Sequence, residues 1–395
     1  MPLTRPSQPL DALGNLGVLA AAANPVDEER LRERVDAALV RFLDGKDAQL
    51  SMISPQLGPV TAVLRDFLLD GGKRLRPAFC YWGWRGAGGD VGDEGAVAAA
   101  AALELLQGGA LVHDDLIDRS DTRRGLPAVH RRFEALHAAE GWRGDAAQYG
   151  TASAVLLGDM LLVWSDELLA DCGLDRAAVR RAKPLFDLMR TEVMAGQYLD
   201  MLEPATVGTT STAGTATTGP HPDLDGPIER ARTVIHYKSA KYTVERPLQL
   251  GGLLAGADPA LVTAYGAFGL PLGEAFQLRD DLLGVYGDPA VTGKPAGDDL
   301  REGKRTLLVA EALAECSAAD ARLIDDLLGA PEPGEREIEL LRSVITASGA
   351  PERVEARITA LLRESLGALD EAPIADERAR RALHRLADAA TARRY

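Results

Sequence analysis

Hydrophobic residues recur every three or four positions through most of the chain, which is the spacing of an amphipathic helix. Behind the acidic residues 27–29, the apolar positions Leu31, Val35, Leu39 and Phe42 share one face of a first helix. The same spacing predicts further helices over residues 95–118, 152–170 and 190–202, and again from Ile228 onward. In the helix over 152–170 we expect the apolar residues Leu156, Leu157, Met160 and Val163 to lie in the core. The pattern therefore favours a chain built mainly from helices.

Two stretches lack this periodicity. Residues 1–26 are rich in Pro, Leu and Ala without a sustained period, so we expect a flexible N-terminal arm. Residues 203–226 are rich in Thr, Gly, Ala and Pro and contain too little apolar surface to order themselves. We expect a disordered insertion there rather than a domain boundary. From Ala310 the helical spacing returns, with a break at residues 330–334.

Three aspartates lie at the end of the helix predicted over 95–118. Asp114 and Asp118 are four residues apart and share one helical face, and Asp115 lies three residues before Asp118. Carboxylate oxygens suit Mg²⁺, which is often shared between one or two carboxylates and the phosphates of a substrate. Arg123 and Arg124 follow, and both suit phosphate. Taken alone, the motif is also compatible with a solvated acidic turn.

A basic turn precedes this helix at residues 71–77, whose sequence is GGKRLRP. Backbone N–H groups freed by the two glycines, together with Lys73 and Arg76, can hold a diphosphate. The alternative is a basic helix cap on an acidic protein.

Later helices place polar side chains in apolar surroundings. Gln197 and Asp200 lie on the helix predicted over 190–202, where they indicate either a cavity wall or a buried hydrogen-bonded pair. Further on, Lys238 and Ser239 lie together inside an apolar stretch.

A second acidic motif follows these residues. Gln277 lies three residues before Asp280 and shares its helical face, and Asp281 adjoins it. Lys294 and Lys304 lie on the loop beyond. Two acidic helix sites, each accompanied by cations, indicate a ligand site far more strongly than either does alone.

Composition narrows the class of protein. The 395 residues are 46% hydrophobic but only 5% aromatic, and alanine is plentiful, which favours helix over sheet. The 44 basic and 59 acidic residues give a net charge of −15, which argues against general binding to nucleic acid or anionic membranes. The three cysteines are far apart in sequence, so neither a disulfide framework nor a zinc site is indicated. With neither a convincing signal peptide nor an apolar run of about 18 residues, we expect a cytoplasmic protein without an integral membrane segment.

The motifs GGKRLRP, ELLQ, DDLID, DTRRG, GQYLD, YKSA, FQLRDD and GKPAGDDLREGKRT occur in this order between Leu31 and Tyr395. Together they resemble a trans-prenyltransferase of the polyprenyl synthetase family, similar to actinobacterial geranylgeranyl or longer polyprenyl diphosphate synthases. The resemblance implies an all-α fold, in which one domain over 27–395 forms a helical bundle around a deep central cavity. It also implies a homodimer.

The resemblance assigns a role to each motif. It implies three Mg²⁺ ions on the allylic diphosphate, bound by Asp114, Asp118 and Asp280, with Asp115 and Asp281 in support. The positions that correspond to the isopentenyl diphosphate pocket are Lys73, Arg76, Gln107 and Arg124. Those that correspond to the allylic diphosphate site are Arg123, Lys238, Gln277 and Lys294, with Ser239 and Lys304 in secondary positions. The terminal Arg393 and Arg394 are candidates to close over the site.

The implied reaction is a Mg²⁺-dependent head-to-tail condensation of isopentenyl diphosphate with an allylic diphosphate, which gives an all-trans polyprenyl diphosphate and releases pyrophosphate. Cations stabilise the departing diphosphate, so no poised histidine is required. His113, beside the aspartates, is therefore expected to be structural.

Two positions depart from the family pattern. The second motif is often DDxxD, but its third acidic position is Gly284 here, and Gln107 stands where many bacterial relatives have His. Glutamine still offers a hydrogen-bond donor to a diphosphate.

Product length is expected to depend on residues just before Asp114. Short-chain relatives often have aromatic residues at the fifth or fourth position before that aspartate, where this chain has Gly109 and Ala110. Small residues predict an open shaft with Leu106 one turn deeper and Leu157 or Met160 on a facing helix. Geranylgeranyl diphosphate or a longer product is the expectation, unless another helix forms the floor.

Two other classes share some of these features. A class I terpene cyclase also has a first DDxxD, but it lacks GGKRLRP and has an Asn/Ser/Glu second metal motif, which this sequence does not contain. A non-catalytic regulatory subunit of a prenyltransferase would be marked by the loss of a metal motif, and both motifs are present.

Overall fold

Helices form nearly all of the part of the chain that the computed structural model describes, which comprises residues 26–206, 226–288, 296–331 and 333–391. The helices are α1 Leu31–Ile53, α2 Gly58–Leu69, α3 Leu75–Gly86, α4 Glu94–Ile117, α5 Val129–Ala139, α6 Ala146–Ala170, α7 Arg176–Thr206, α8 Pro227–Val234, α9 Arg246–Ala255, α10 Pro259–Tyr286, α11 Asp298–Arg301, α12 Leu307–Glu315, α13 Ala318–Leu327, α14 Glu335–Ala347, α15 Ala350–Glu371 and α16 Glu377–Thr391. Short 3₁₀ turns at Glu28–Arg30 and Pro55–Leu57 flank α1. The all-α prediction is confirmed.

Helix α4 lies at the centre of the bundle, against α1, α3 and α6. It begins where the Asp93 side chain accepts hydrogen bonds from the backbone N–H groups of Gly95 and Ala96, a regular N-cap. Among the described helices, α4 alone has the length and apolar composition to cross a membrane, but 72% of its most apolar window is buried in the protein. Burial of this extent is typical of a helix in the core of a folded domain.

Two hydrophobic clusters form the core. The larger contains the bulky buried rings of α3, Phe79, Tyr81 and Trp82, and the smaller lies among α8, α10 and the helices from α11 to α15. Helix α10 joins the two, because Phe268 packs in the first and Leu278 in the second. The second acidic motif therefore lies on a helix that is held along its length by buried side chains.

Helix α8 continues through an 11-residue π-helical segment, Ile235–Glu245, into α9. Long π-helical stretches are rare and frequently coincide with functional sites. This segment carries Lys238 and Ser239, and it packs against α7 and α10.

The only strands in the described residues are β1 Thr122–Arg123 and β2 Leu126–Pro127, which pair as an antiparallel hairpin. Arg124 and Gly125 form its turn with positive φ angles of 54° and 78°, as a type I′ turn requires. The hairpin follows α4 directly and thus folds its arginines back towards the acidic motif.

Some predictions from the sequence differ from the structure. Leu156 and Val163, expected in the core, are 62% and 65% exposed, because only the face of α6 that carries Leu157 packs inward. Val26, assigned to the flexible arm, is buried, while the rest of that arm lies outside the described residues. Helix α7 runs through the first residues of the predicted insertion as far as Thr206, and the rest of the insertion up to residue 225 lies outside the described residues.

Candidate active site

The first acidic motif lies at the C-terminal end of α4 with its charges partly compensated by the hairpin. Asp115 is almost fully buried and accepts a hydrogen bond of 2.8 Å from Arg123 Nε. Arg123 Nη2 also lies 3.2 Å from Asp114 Oδ2. Burial disfavours the charged guanidinium, but the two carboxylates outweigh it and raise the pKa of Arg123. Arg123 thus fixes the orientation of the aspartates.

Helix α7 and the π-helical segment bring two more polar groups to Asp114. Gln197 Nε2 donates to Asp114 Oδ1 at 3.3 Å, and Lys238 Nζ lies 3.7 Å from the same oxygen. Lys238 also donates to Asp200 Oδ2 at 2.5 Å. Burial acts to lower the pKa of Lys238, but Asp200 and Asp114 raise it overall, so the lysine is a cation here. Gln197 and Asp200 are thus hydrogen-bonded to Asp114 and Lys238, two of the predicted site residues.

The second acidic motif lies near these groups on α10. Gln277 donates to Asp281 Oδ1 at 2.8 Å and accepts from Ser239 of the π-helical segment at 2.5 Å. Burial, followed by repulsion from Asp299, Asp280 and Asp200, raises the pKa of Asp281 to about 8. A carboxylate in such surroundings is stabilised as an anion by a nearby cation.

Lys304 connects the two motifs. Its ammonium lies 3.0 Å from Asp118 Oδ2 and 3.9 Å from Asp299 Oδ1, and it also forms a close ion pair with Glu302. Although burial acts against the charged form, these carboxylates raise the pKa of Lys304 well above its ordinary value. The loop after α10 is thereby joined to the end of α4.

A basic pocket adjoins the acidic motifs. Arg76 donates to Thr243 Oγ1 at 2.7 Å, and its guanidinium lies 4.2 Å from the ring centre of Tyr242. Tyr242 in turn donates to Gln107 Oε1 at 2.9 Å. Arg76 Nε is buried and makes no hydrogen bond to any described residue, so Thr243 and the ring of Tyr242 hold the guanidinium in place.

Arg124 completes this pocket from the hairpin. It donates to the backbone carbonyl of Asp70 at 2.9 Å, which places it against the basic turn that contains Lys73. Desolvation, with the neighbouring cations Arg74 and Arg123, lowers the pKa of Arg124. Such a shift is expected of a cation among other cations, where a bound diphosphate would relieve the repulsion.

The third cation of the basic turn has a different role. Arg74 is buried and donates to Asp36, to Glu104 at 2.6 Å and to the carbonyl of Leu68 at 2.8 Å. Its hydrogen bonds tie α1, α2 and α4 together beneath the pocket. Arg74 therefore has a structural role.

The three residues expected to set product length occupy different surroundings. A Cβ at Gly109 would lie 3.0 Å from the carbonyl oxygen of Gly158 and 3.1 Å from Leu162, so Gly109 is a close contact between α4 and α6. It therefore does not open a shaft, contrary to the prediction. Ala110, four residues before Asp114, is half-buried on the face that carries Gln107 and Asp114, and Leu106 is fully buried.

His113 faces α6 as well. Its Nε2 lies 3.2 Å from the carbonyl oxygen of Val155, and a Cβ at Gly158 would lie 2.1 Å from it. This contact agrees with the structural role expected for His113. Lys294, Arg393 and Arg394 lie outside the described residues.

The residues present fit Mg²⁺ bound together with a diphosphate. No group of three or more His, Cys, Asp or Glu side chains in the described parts of the chain converges closely enough to hold a metal ion by itself. Mg²⁺ commonly takes only one or two carboxylates and completes its shell with water and substrate phosphates. The lysines paired with Asp114 and Asp118 occupy positions where positive charge is favoured, which agrees with this donor set.

Comparison with known proteins identifies the class. Residues 59–345 match the family described as Polyprenyl synthetase. The geranylfarnesyl diphosphate synthase of Aeropyrum pernix is 32% identical over 80% of this chain and 89% of its own length. The geranylgeranyl diphosphate synthase of Mycobacterium tuberculosis is 34% identical over 73% of this chain and 75% of its own.

A solved structure supports the same class of protein. The geranylgeranyl pyrophosphate synthase of Corynebacterium glutamicum, complexed with isoprenyl diphosphate and magnesium, superposes with a TM-score of 0.85 at 40% identity, covering 93% of this chain and 100% of that one. The chain therefore belongs to the polyprenyl synthetase family. It is a prenyltransferase of the trans-prenyl diphosphate synthase class, and neither the terpene cyclase nor the regulatory-subunit alternative is favoured.

The sequence interpretation missed several residues of this site. Tyr242 and Thr243 contact Arg76 although they lie more than 160 residues away in sequence, so only the packing of α3 against the π-helical segment brings them together. Asp299 was not singled out either. Asp299 belongs to an acidic run in the segment after α10, which was a signal in the sequence. Because it is distant in sequence from the aspartates of α10, its contact with Gly284 on that helix was not predicted.

Proposed function

We propose that this enzyme condenses isopentenyl diphosphate with an allylic diphosphate to give geranylgeranyl diphosphate or a longer all-trans product. The observation that carries the proposal is that Lys238 and Lys304 pair with the first acidic motif, while Asp200 and Asp299, which lie beside these lysines, are close enough to raise the pKa of Asp281 in the second. A separate basic pocket around Arg76 lies beside them. The acidic site suits the allylic diphosphate, which leaves as pyrophosphate. The basic pocket suits the diphosphate of isopentenyl diphosphate, which the product retains.

The acidic site holds the allylic diphosphate in this proposal. Mg²⁺ ions, of which we expect three, supply the charge that stabilises the departing pyrophosphate. Asp114, Asp118 and Asp280 would bind them, and Lys238 contributes a fixed positive charge close to Asp114. Arg123 keeps Asp114 and Asp115 in place, so the aspartates need little rearrangement when the ligand binds.

The basic pocket holds isopentenyl diphosphate. Arg76, Arg124 and Lys73 supply the positive charge, and Gln107 supplies an amide whose orientation is fixed by Tyr242. The two substrates would then lie side by side along α4, since Gln107 and Asp114 share one of its faces. Proximity of this kind converts the condensation into an intramolecular step.

Product length is proposed to depend on the face of α4 that carries Ala110. The small side chain lies one turn before Asp114 and leaves room for a growing chain towards Leu106. Gly109 does not contribute to that room, since α4 and α6 are in close contact at that position.

We further propose a homodimer in the cytoplasm. The exposed face of α6 carries Val155, Leu156 and Val163, which are 43%, 62% and 65% exposed. A row of large apolar residues on one helix face is typical of a surface that a partner covers. The three described cysteines are free thiols, in keeping with a reducing compartment.

The function is tested with purified protein, isopentenyl diphosphate, Mg²⁺ and dimethylallyl, geranyl or farnesyl diphosphate in turn, followed by mass analysis of the products. Geranylgeranyl or longer products support the proposal, and farnesyl diphosphate as the end product refutes the length assignment. The dimer is tested by sedimentation of the Leu156→Glu, Val163→Glu double variant beside Leu340→Glu, a control at an exposed apolar residue elsewhere. Only the double variant should sediment as a monomer.

A further inference from the structure

The second acidic motif lacks a carboxylate at its third position, but the structure places another one there. A Cβ at Gly284 would lie 1.9 Å from Asp299 Oδ2 and 2.5 Å from its Cγ. The carboxylate of Asp299 therefore occupies the space that a side chain at position 284 would fill. Position 284 is four residues after Asp280 and three after Asp281, so it shares their part of the helix surface.

Asp299 is held in this position by the backbone and the core. The N–H of Gly297 donates to the carbonyl of Gly284 at 3.1 Å, which ties the returning loop to α10. Leu300, the next residue after Asp299, is fully buried. The N–H of Lys304 donates to the carbonyl of Asp299 at 3.0 Å. These contacts fix the main chain on both sides of the carboxylate.

We propose that Asp299 is the third carboxylate of the second acidic motif, and that it acts with Asp280 on the Mg²⁺–diphosphate through a water molecule bound to the ion. The inference rests on the proposed function. Mg²⁺ retains several of its waters in proteins, and carboxylates that accept hydrogen bonds from such waters orient the ion. Contact through water does not require the side chains to converge on a single point, which agrees with their spacing in the described residues.

The electrostatics of the site support this role. Asp299 Oδ1 lies 3.9 Å from the ammonium of Lys304, and the same ammonium lies 3.0 Å from Asp118 Oδ2 of the first acidic motif. Asp299 thus lies between the second acidic motif and the cation that reaches the first.

Mg²⁺-dependent binding of inorganic pyrophosphate to the full chain, measured by calorimetry, tests the role without relying on turnover. Asp299→Asn keeps the shape of the side chain but removes its charge. We expect the Mg²⁺ concentration that gives half-maximal pyrophosphate binding to rise about tenfold. Asp298→Asn, one residue earlier on the same short helix, is the matched control and should stay within about twofold of the wild type.

An exchange of the two positions provides the decisive comparison. Gly284→Asp alone should impair pyrophosphate binding, because the new side chain and Asp299 compete for one space. Combining Gly284→Asp with Asp299→Gly moves the carboxylate to α10 and should restore binding to within about threefold of the wild type. If Asp299→Asn does not fold, the double variant still tests the proposed role of Asp299.

The inference is overturned if Asp299→Asn binds pyrophosphate with unchanged Mg²⁺ dependence, or if the double variant binds no better than Asp299→Gly. The wild-type protein separates this outcome from failure of the proposed function. Wild type that binds Mg²⁺ and pyrophosphate but makes no prenyl product contradicts the function, whereas active wild type with an unaffected Asp299→Asn contradicts only the role of Asp299.

Discussion

The ammonium of Lys304 lies 3.0 Å from the carboxylate of Asp118, across 186 positions of sequence. This ion pair joins the loop after α10 to the end of α4. Because Lys304 also lies 3.9 Å from Asp299, whose charge raises the pKa of Asp281, the two acidic motifs are electrostatically coupled before any ligand binds.

Replacing Lys304 should therefore affect catalysis more than stability. Lys304→Gln removes the cation between the motifs, and we expect kcat to fall by about 100-fold, as for the loss of a group that stabilises transition-state charge. Lys304→Arg should recover part of the loss. Arg301→Gln serves as the control in steady-state assays, because Arg301 lies three residues before Lys304 but pairs with Glu335. Equal kcat values for Lys304→Gln and Arg301→Gln would show that the bridge is dispensable.

Tyr242 is expected to influence isopentenyl diphosphate binding through Gln107. Tyr242→Phe keeps the ring under Arg76 but removes the hydrogen bond to Gln107, whose net worth is about 1 kcal/mol. The KM for isopentenyl diphosphate should rise about fivefold, while kcat and the KM for the allylic substrate change little. Tyr237→Phe, on the same π-helical segment but partly exposed, is the matched control. A change confined to the allylic KM would contradict the assignment of this pocket.

Ala110 is predicted to set the depth available to the product. Ala110→Phe adds a ring one turn before Asp114 and should shorten the main product by at least one isoprene unit, as read by chromatography. Gly109→Ala is the control, because its added methyl group meets α6 and should affect stability rather than product length. An unchanged product distribution in Ala110→Phe would place the floor of the shaft on another helix.

A buried glutamate should make stability depend on pH. Glu274 on α10 accepts from Arg357 at 2.8 Å and pairs with His236 at 3.0 Å and Arg232 at 3.6 Å. Burial acts to raise the pKa of Glu274, but these partners lower it overall. Its stabilisation is therefore complete above the ordinary value of 4.5 and is lost as the pH falls through the lower value of the folded protein.

Chemical denaturation of Glu274→Ala measures this contribution. At neutral pH we expect the free energy of unfolding to fall by roughly 3 kcal/mol, since removing the buried carboxylate breaks its ion pairs with Arg357 and Arg232. The difference from wild type should narrow as the pH falls below 4.5. Glu229→Ala, a half-exposed residue paired with Arg232, should cost less than about 1 kcal/mol. A gap that is constant from neutral to acidic pH would contradict the electrostatic account.

The sequence predicted the parts of this site that depend on local spacing. Asp114 and Asp118 are one helical turn apart at the end of α4, where the N–H of Asp118, the C-cap residue, donates to the carbonyl of Asp114 at 2.8 Å. Gln197 and Asp200 were candidates because polar groups on an apolar helix need partners, and each has one here. Such inferences require only the geometry of a single helix.

Relationships that depend on packing between distant elements were not predictable in the same way. The contact of Tyr242 with Gln107 requires an 11-residue π-helical segment, which rotates side chains away from their α-helical positions. Gly109 was assigned to a shaft because its smallness was read as free space, whereas it permits close contact with Gly158. Leu156 is apolar like its neighbours, and only the fold shows that it faces outward.

Product formation by wild type, Asp114→Asn and Asp280→Asn, with and without Mg²⁺, tests the central claim most directly. Each substitution removes one metal-binding charge but keeps the shape of the side chain. We predict a geranylgeranyl or longer diphosphate from wild type only when Mg²⁺ is present, and turnover lower by at least about 100-fold in each variant. Near-native turnover in both variants, or undiminished product formation by wild type in excess chelator, would contradict elongation at a site built from two acidic motifs.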